Sequence, residues 1–223
     1  MTPWMQTSIT VEGALKLDIK DWLLSDPQNE HTQMWLKFCG GVWQIPAHEL
    51  FDPKWLGDFE KLTDLKVDAG LVFYRAGGYQ HPGAHIDVEP LAGKIYPVSA
   101  SFNWVLDNDT ESAMTWYKPW WDADDAQQSF AAAQGHLPHP DVPTSAGEKH
   151  AAMLYQETPL HLLKETHCHS LSNTHLTLVR TNVPHNVRMG PADRWAVTLR
   201  SWASLPETWS ECVQRYAALE RCV

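Results

Sequence analysis

The sequence predicts a mainly β domain with flanking helices, on three observations. Runs with strand character recur through the middle of the chain, turn-forming residues punctuate them, and the clearest helical patterns sit towards the two ends. At 223 residues the chain reads as a single domain, 1–223, long enough to bury a substantial core.

Residues 1–66 carry helical pieces at Ile19–Leu24 and Pro53–Leu62, the second opened by Asp52 as cap with Pro53 at the first helical position. They are expected to pack outside the β core as a flanking helical element. Strand character begins over Gly70–Arg75, stops at Gly77-Gly78, and resumes over Ala84–Val88 after the turn signal Pro82-Gly83. Val98–Leu106 alternates as a strand, Asp107-Asn108-Asp109 turns, and Ser112–Tyr117 is expected to return as its hairpin partner.

Residues 119–150 interrupt this pattern: Trp120-Trp121-Asp122 leads into a short helix over Ala123–Gln134, then a Gly-, Pro- and His-rich stretch through Gly147. So long a connection inside a compact domain is usually functional or disordered. A lid over Trp120–Gly147 is the expectation, with a plain surface insertion as the alternative. Val179–Val187 and Arg194–Arg200 read as later strands. Residues 203–223 close the chain with a helix, Ser204 and Glu207 forming a capping-box pattern and Trp209, Cys212, Val213, Tyr216 and Leu219 an apolar stripe at helical spacing.

Composition narrows the function classes. A formal net charge of −10 gives no general attraction to phosphate backbones, so nucleic acid is not an expected partner. No apolar stretch approaches the roughly 18 to 20 residues that span a bilayer, and Met1-Thr2-Pro3-Trp4 does not open a basic-then-apolar leader. The expectation is a soluble, cytoplasmic protein without a membrane partner. Cys39, Cys168, Cys212 and Cys222 form no CxxC pair and read as reduced thiols. Of the twelve tryptophans, most are expected in core and sheet packing; Trp104, Trp116, Trp120, Trp121 and Trp195 are the candidates for walling a pocket.

The chemistry concentrates in His85-Ile86-Asp87, answered downstream by His185 and then Arg194. In an extended strand alternate side chains share a face, so His85 and Asp87 point one way and Ile86 the other. A third ligand from a distant strand, His185, would complete a set of two imidazoles and one carboxylate. Such a set caps one face of an octahedral Fe(II) and leaves the opposite face open. Arg194 heads a strand-like run and supplies a fixed cation able to hold a carboxylate.

The order His-x-Asp, a long gap, Val183-Pro184-His185, a polar turn and an Arg-led strand resembles the Fe(II)/2-oxoglutarate-dependent dioxygenases over roughly residues 67–202. The resemblance implies a double-stranded β-helix (jelly roll, cupin-like) over 67–202, with 119–150 as an insertion. It also implies His85, Asp87 and His185 as iron ligands, 2-oxoglutarate and O2 as co-substrates, and Arg194 paired with the distal carboxylate of 2-oxoglutarate. The chain has Ala196 where several relatives carry Ser or Thr, and Arg200 is a second cation on the same strand face, an alternative for that role. Tyr74, Asn103 and Tyr117 are further candidates for hydrogen bonds to 2-oxoglutarate, or else satisfied core polar groups. Halogenases of this general family leave the carboxylate position to chloride; Asp87 keeps it here, so hydroxylation of an unactivated C–H bond, with release of succinate and CO2, is the implied outcome, desaturation or cyclisation being other fates.

Other classes fit the same residues. A cupin-type metalloenzyme would use such a barrel without 2-oxoglutarate, and a noncatalytic binding barrel would bind no iron. The expected substrate is a small molecule such as an amino acid or related metabolite, with a peptidyl side chain as the alternative. His167, Cys168, His169 and His175 make a second metal-like cluster that lacks the paired spacing of structural zinc sites, while His136, His139 and His150 fall in the insertion.

Overall fold

The structure is a computed structural model describing residues 1–16, 18–25, 40–91, 94–107, 110–134, 136–137, 158–201 and 208–221. The N-terminal part contains β1 (Trp4–Thr10), α1 (Ile19–Leu24), β2 (Gly40–Pro46), α2 (Ala47–Leu50) and α3 (Pro53–Thr63). The middle runs through β3 (Ala69–Arg75), β4 (Gly83–Ala84), β5 (Val88–Leu91), β6 (Lys94–Pro97), β7 (Ala100–Val105), β8 (Ala113–Tyr117) and α4 (Ala126–Ala133). It ends with β9 (Thr158–Pro159), β10 (Glu165–His169), β11 (His175–Arg180), β12 (His185–Arg188), β13 (Arg194–Arg200) and α5 (Trp209–Tyr216).

Caps fix where the helices begin. Asp18 accepts from the backbone N–H groups of Lys20 and Asp21, and Asp52 from those of Lys54 and Trp55, with Pro53 at the first turn of α3. The C-terminal helix opens at Trp209 on a capping box of Thr208 and Glu211, not on Ser204 and Glu207, which lie outside the described residues. The cap falls just ahead of Trp209, the residue that α5 buries completely.

All strand pairs are antiparallel. A six-stranded sheet has the order β1-β11-β7-β13-β3-β2, and a three-stranded sheet the order β10-β8-β12. Alternation divides the large sheet into two faces. Val72, Tyr74, Phe102, Trp104, Leu178, Trp195, Val197 and Leu199 join Ile19, Leu50, Phe51, Phe59, Trp209 and Tyr216 of the helical side in one core cluster. On the other face Val105, Val179 and Ala196 pack with Met114 and Trp116 of the small sheet in a second cluster. The result is two facing antiparallel sheets with helices covering the outer side of the larger one. Burying each large side chain of the helical layer, such as Leu50, Phe51 or Phe59, contributes about 1.5–3 kcal/mol and ties that layer to the large sheet.

The structure changes two expectations. Residues 1–66 are not only helical: β1 and β2 form the two edges of the large sheet, Trp4–Thr10 pairing with β11 and Gly40–Pro46 with β3. The β-branched and aromatic residues of Trp4–Thr10 carried that signal. Second, Ala113–Tyr117 does not return beside Ala100–Val105. It crosses to the other sheet as its central strand, and β7 is flanked by β11 and β13 instead. All five residues of β8 are buried, as a strand covered on both faces requires.

Close approach explains one glycine near the site. A Cβ on Gly77 would stand 2.0 Å from the carbonyl oxygen of Pro191, so the turn after β3 can lie on the turn that feeds β13 only with glycine there.

Candidate metal centre

The expected strand over Ala84–Val88 is broken into pieces, and the breaks build the site. Gly83–Ala84 pairs with Thr158–Pro159, His85 bridges to His185, and Val88–Leu91 pairs with Lys94–Pro97. His85 and His185 exchange both backbone hydrogen bonds, at 3.0 and 2.9 Å, which sets their side chains on one side of the ladder. The Asp87 N–H donates to the carbonyl of Thr181, and the Asp87 carbonyl accepts from the N–H of Val98. Three ligand-type residues from two distant segments are thus held by main-chain bonds, independently of their side chains.

The side chains converge. One ligand atom from each of His85, Asp87 and His185 lies within 4.8 Å of the other two, and among the described residues no other group of His, Cys, Asp and Glu meets that condition. His85 Nε2 is 3.7 Å and His185 Nε2 3.5 Å from Asp87 Oδ1. His185 Nδ1 sits 2.9 Å from the carbonyl oxygen of Val183. A carbonyl can only accept, so Nδ1 carries a proton and Nε2 is the ligand atom turned towards Asp87, the arrangement that orients metal-bound histidines. The donor set fits a divalent transition metal with imidazole and carboxylate ligands.

Charge states agree with that reading. Burial, together with the neighbouring His185, pushes the His85 imidazole down to about 3, so it is neutral and able to ligate at neutral pH. For Asp87 burial alone would raise the carboxyl, but the hydrogen bond with His185 and the charge of Arg200 outweigh it and hold the group well below the usual carboxylate range. Both shifts have one sign for stability. Below about pH 6.5 the unfolded chain takes a proton at His85 that the folded chain refuses until about pH 3, and further down the unfolded chain protonates Asp87 first. The metal-free protein is therefore expected to lose stability as pH falls from 6.5 towards 3. Urea melts at stepped pH check this, and a flat profile that becomes sloped in His85→Ala would reverse the assignment.

Arg194, Ala196, Thr198 and Arg200 share the inward face of β13. Arg200 Nη2 donates to Asp87 Oδ2 at 3.3 Å, both side chains being largely buried. Arg194, 5% exposed, lies six positions back along the strand, about 20 Å at a strand's rise per residue. It stands opposite Arg75 in the register, a residue sequence reasoning missed, whose charge also helps keep His85 neutral. Asn103 faces the same interior, level with Thr177 and Thr198, and its Oδ1 is buried with no hydrogen-bond partner; Ser101 Oγ, on the same face, is in the same condition.

Tyr74 and Tyr117 do not belong with these. Tyr74 is level with Trp195 on the helix-facing side of the large sheet and its hydroxyl reaches Asp193. Tyr117 follows Trp116, which pairs directly with His185, so it faces away from the inter-sheet space, where its hydroxyl donates to Asn186. In both cases strand parity decides: one step along the strand exchanges the two faces.

The remaining candidates separate clearly. Trp104 and Trp195 belong to the helix-side core, Trp116 lies beside His185 and stacks on Trp4, and Trp120 and Trp121 line a cavity that reaches His85. His167 and His169 pack against the ring of Trp4, Cys168 accepts from Arg188, and His175 contacts Arg221, so these four form no ligand cluster. His136 is exposed. Residues 138–157 lie outside the described residues and with them His139, His150 and much of the expected lid. No described helix is long and apolar enough to cross a membrane. Comparison with protein-family models yields no match, and none of the curated proteins is significantly similar to this chain.

Proposed function

We propose that the protein is an Fe(II)- and 2-oxoglutarate-dependent oxygenase that hydroxylates a C–H bond of a small molecule such as an amino acid or related metabolite, on a double-stranded β-helix. The observation that carries this is the convergence of His85, Asp87 and His185, two imidazoles and one ionised carboxylate, on a single point between distant segments. Bound Fe(II) with 2-oxoglutarate and O2 supplies oxidative decarboxylation to succinate and CO2 coupled to substrate oxidation.

The chain's own part is to hold and orient. Val183 fixes the tautomer of His185, and Arg200 fixes the carboxylate of Asp87. Arg194 supplies a buried, permanently charged fork for the distal carboxylate of 2-oxoglutarate. The unpartnered Asn103 Oδ1 and Ser101 Oγ mark a polar interior on the same face, which suits a polar co-substrate better than a sealed apolar core. The test is anaerobic reconstitution with Fe(II), then exposure to air with 2-oxoglutarate while metabolites are screened for stimulated succinate formation. Metal-dependent oxidation without any need for 2-oxoglutarate would select the cupin-type alternative; failure to bind iron would select the noncatalytic barrel.

A further inference from the structure

A small cavity opens beside the triad, between the β4–β12 edge and α4. His85 forms part of its wall, and the rest is mostly apolar: Ile86, Trp120, Ala132, Leu137 and Pro184 contribute, and among the described lining residues none carries a formal carboxylate, ammonium or guanidinium charge. The walls are held in place. Trp120 donates its indole N–H to the carbonyl of Leu137, and the Ala123 carbonyl takes hydrogen bonds from Ser129 and from Asn182, tying the tryptophan segment to the turn before His185.

Trp121 differs from its neighbour. It lines the same cavity, is 8% exposed, packs edge-on against Trp120, and its Nε1 is buried without a hydrogen-bond partner. A buried donor left unpaired is costly, so such groups call for an acceptor. Resting on the oxygenase reading, we propose that this cavity receives the reacting part of the substrate, an uncharged aliphatic segment bearing one hydrogen-bond acceptor, a carbonyl or hydroxyl oxygen, which the indole N–H of Trp121 binds.

The lining sets the selectivity. An ionised group entering it would give up hydration and meet no countercharge among the described lining residues, whereas a methylene chain exchanges water for Ile86, Leu137 and the face of Trp120. Any charged end of the substrate therefore stays outside the cavity. Ala132 lines the cavity from a partly exposed position, and its replacement by a larger residue fills the space.

Three probes of equal length test this on the metal-free full chain by ligand-observed NMR: pentanamide, pentanoate and pentylammonium. Pentanamide is expected to bind, and both ions to bind at least about tenfold more weakly. Trp121→Phe, which keeps the ring but removes the N–H, should weaken pentanamide by about three- to tenfold. Ala132→Phe should abolish its binding; if that variant melts early, Ala132→Leu takes its place with a graded loss. Equal binding of the three probes, no binding of pentanamide up to its solubility, or unchanged affinity in folded Trp121→Phe and Ala132→Phe would each overturn the proposal. The two readings fail separately. Selective amide binding in a chain that forms no succinate with Fe(II) and 2-oxoglutarate would retain the cavity's selectivity and reject the oxygenase, while succinate formation without amide binding would reject the cavity alone.

Discussion

His185→Ala is expected to lose bound Fe(II) while the protein stays folded, and His85→Ala and Asp87→Ala should share the metal defect. Loss of a supporting contact to a metal ligand typically costs 10- to 100-fold in affinity, so loss of a ligand itself should cost at least about 100-fold. The fold persists because these residues are held by main-chain bonds that alanine preserves: His85 with His185, Asp87 with Thr181 and Val98. The three should differ in stability. Removing either imidazole takes away modest contacts, about 1–2 kcal/mol, or a few degrees of melting temperature in a domain this large. Asp87→Ala also takes from Arg200, a largely buried guanidinium, the carboxylate it donates to, leaving the charge of Glu89 nearby, and a buried charge that loses its hydrogen-bonded partner is more costly than a lost hydrogen bond. Metal content by elemental analysis alongside thermal melting checks both parts. Full iron occupancy in any variant would remove that residue from the centre, and an Asp87→Ala melt equal to that of His85→Ala would remove the Arg200 pairing.

The parts of this centre that could be read in the sequence are those fixed by local geometry. His85 and Asp87 are legible as a pair because two residues make one strand repeat, although the structure breaks the strand there and holds Asp87 through Thr181 and Val98, and Asp52-Pro53 starts a helix because the missing N–H of proline is harmless there. What could not be read depends on register between distant strands. The Tyr74 hydroxyl has the right chemistry for a co-substrate, but its face follows from its pairing with Trp195, well over a hundred positions away in the chain. Tyr117 is placed by the pairing of Trp116 with His185, and Ser112–Tyr117 was open to a local hairpin until the non-local partners β10 and β12 took both its edges. The Val183 carbonyl, which sets the His185 tautomer, is a backbone atom and has no residue-type signal at all. Arg200 was visible as a cation on the right face; its contact with Asp87 was not, because it depends on how far the Asp87 segment lies from the end of β13.

Arg194 and Arg200 should therefore fail in different ways. Both are inward-facing residues of one strand, yet only Arg200 touches the ligand carboxylate. Arg200→Ala removes a charge and a hydrogen bond that keep Asp87 ionised and aimed, so it should weaken iron binding by about 10- to 100-fold and, at saturating iron, leave the KM for 2-oxoglutarate nearly unchanged. Arg194→Ala removes a buried cation six positions back along the strand from Arg200. Its effect should fall on the co-substrate: a charge-assisted hydrogen bond in a buried setting contributes about 1.5–3 kcal/mol, which raises the KM for 2-oxoglutarate roughly 10- to 150-fold with iron affinity close to wild type. Lysine substitutions sharpen the contrast, since an ammonium restores charge without the planar fork. Arg200→Lys should recover much of the iron affinity, because a single bond to Asp87 suffices there, while Arg194→Lys should recover little of the KM. Iron titration and 2-oxoglutarate kinetics on the four variants separate these effects. If Arg200→Ala shows the larger KM effect and normal iron affinity, the co-substrate anchor moves to Arg200, and the Asp87 contact is an ion pair that 2-oxoglutarate displaces on binding.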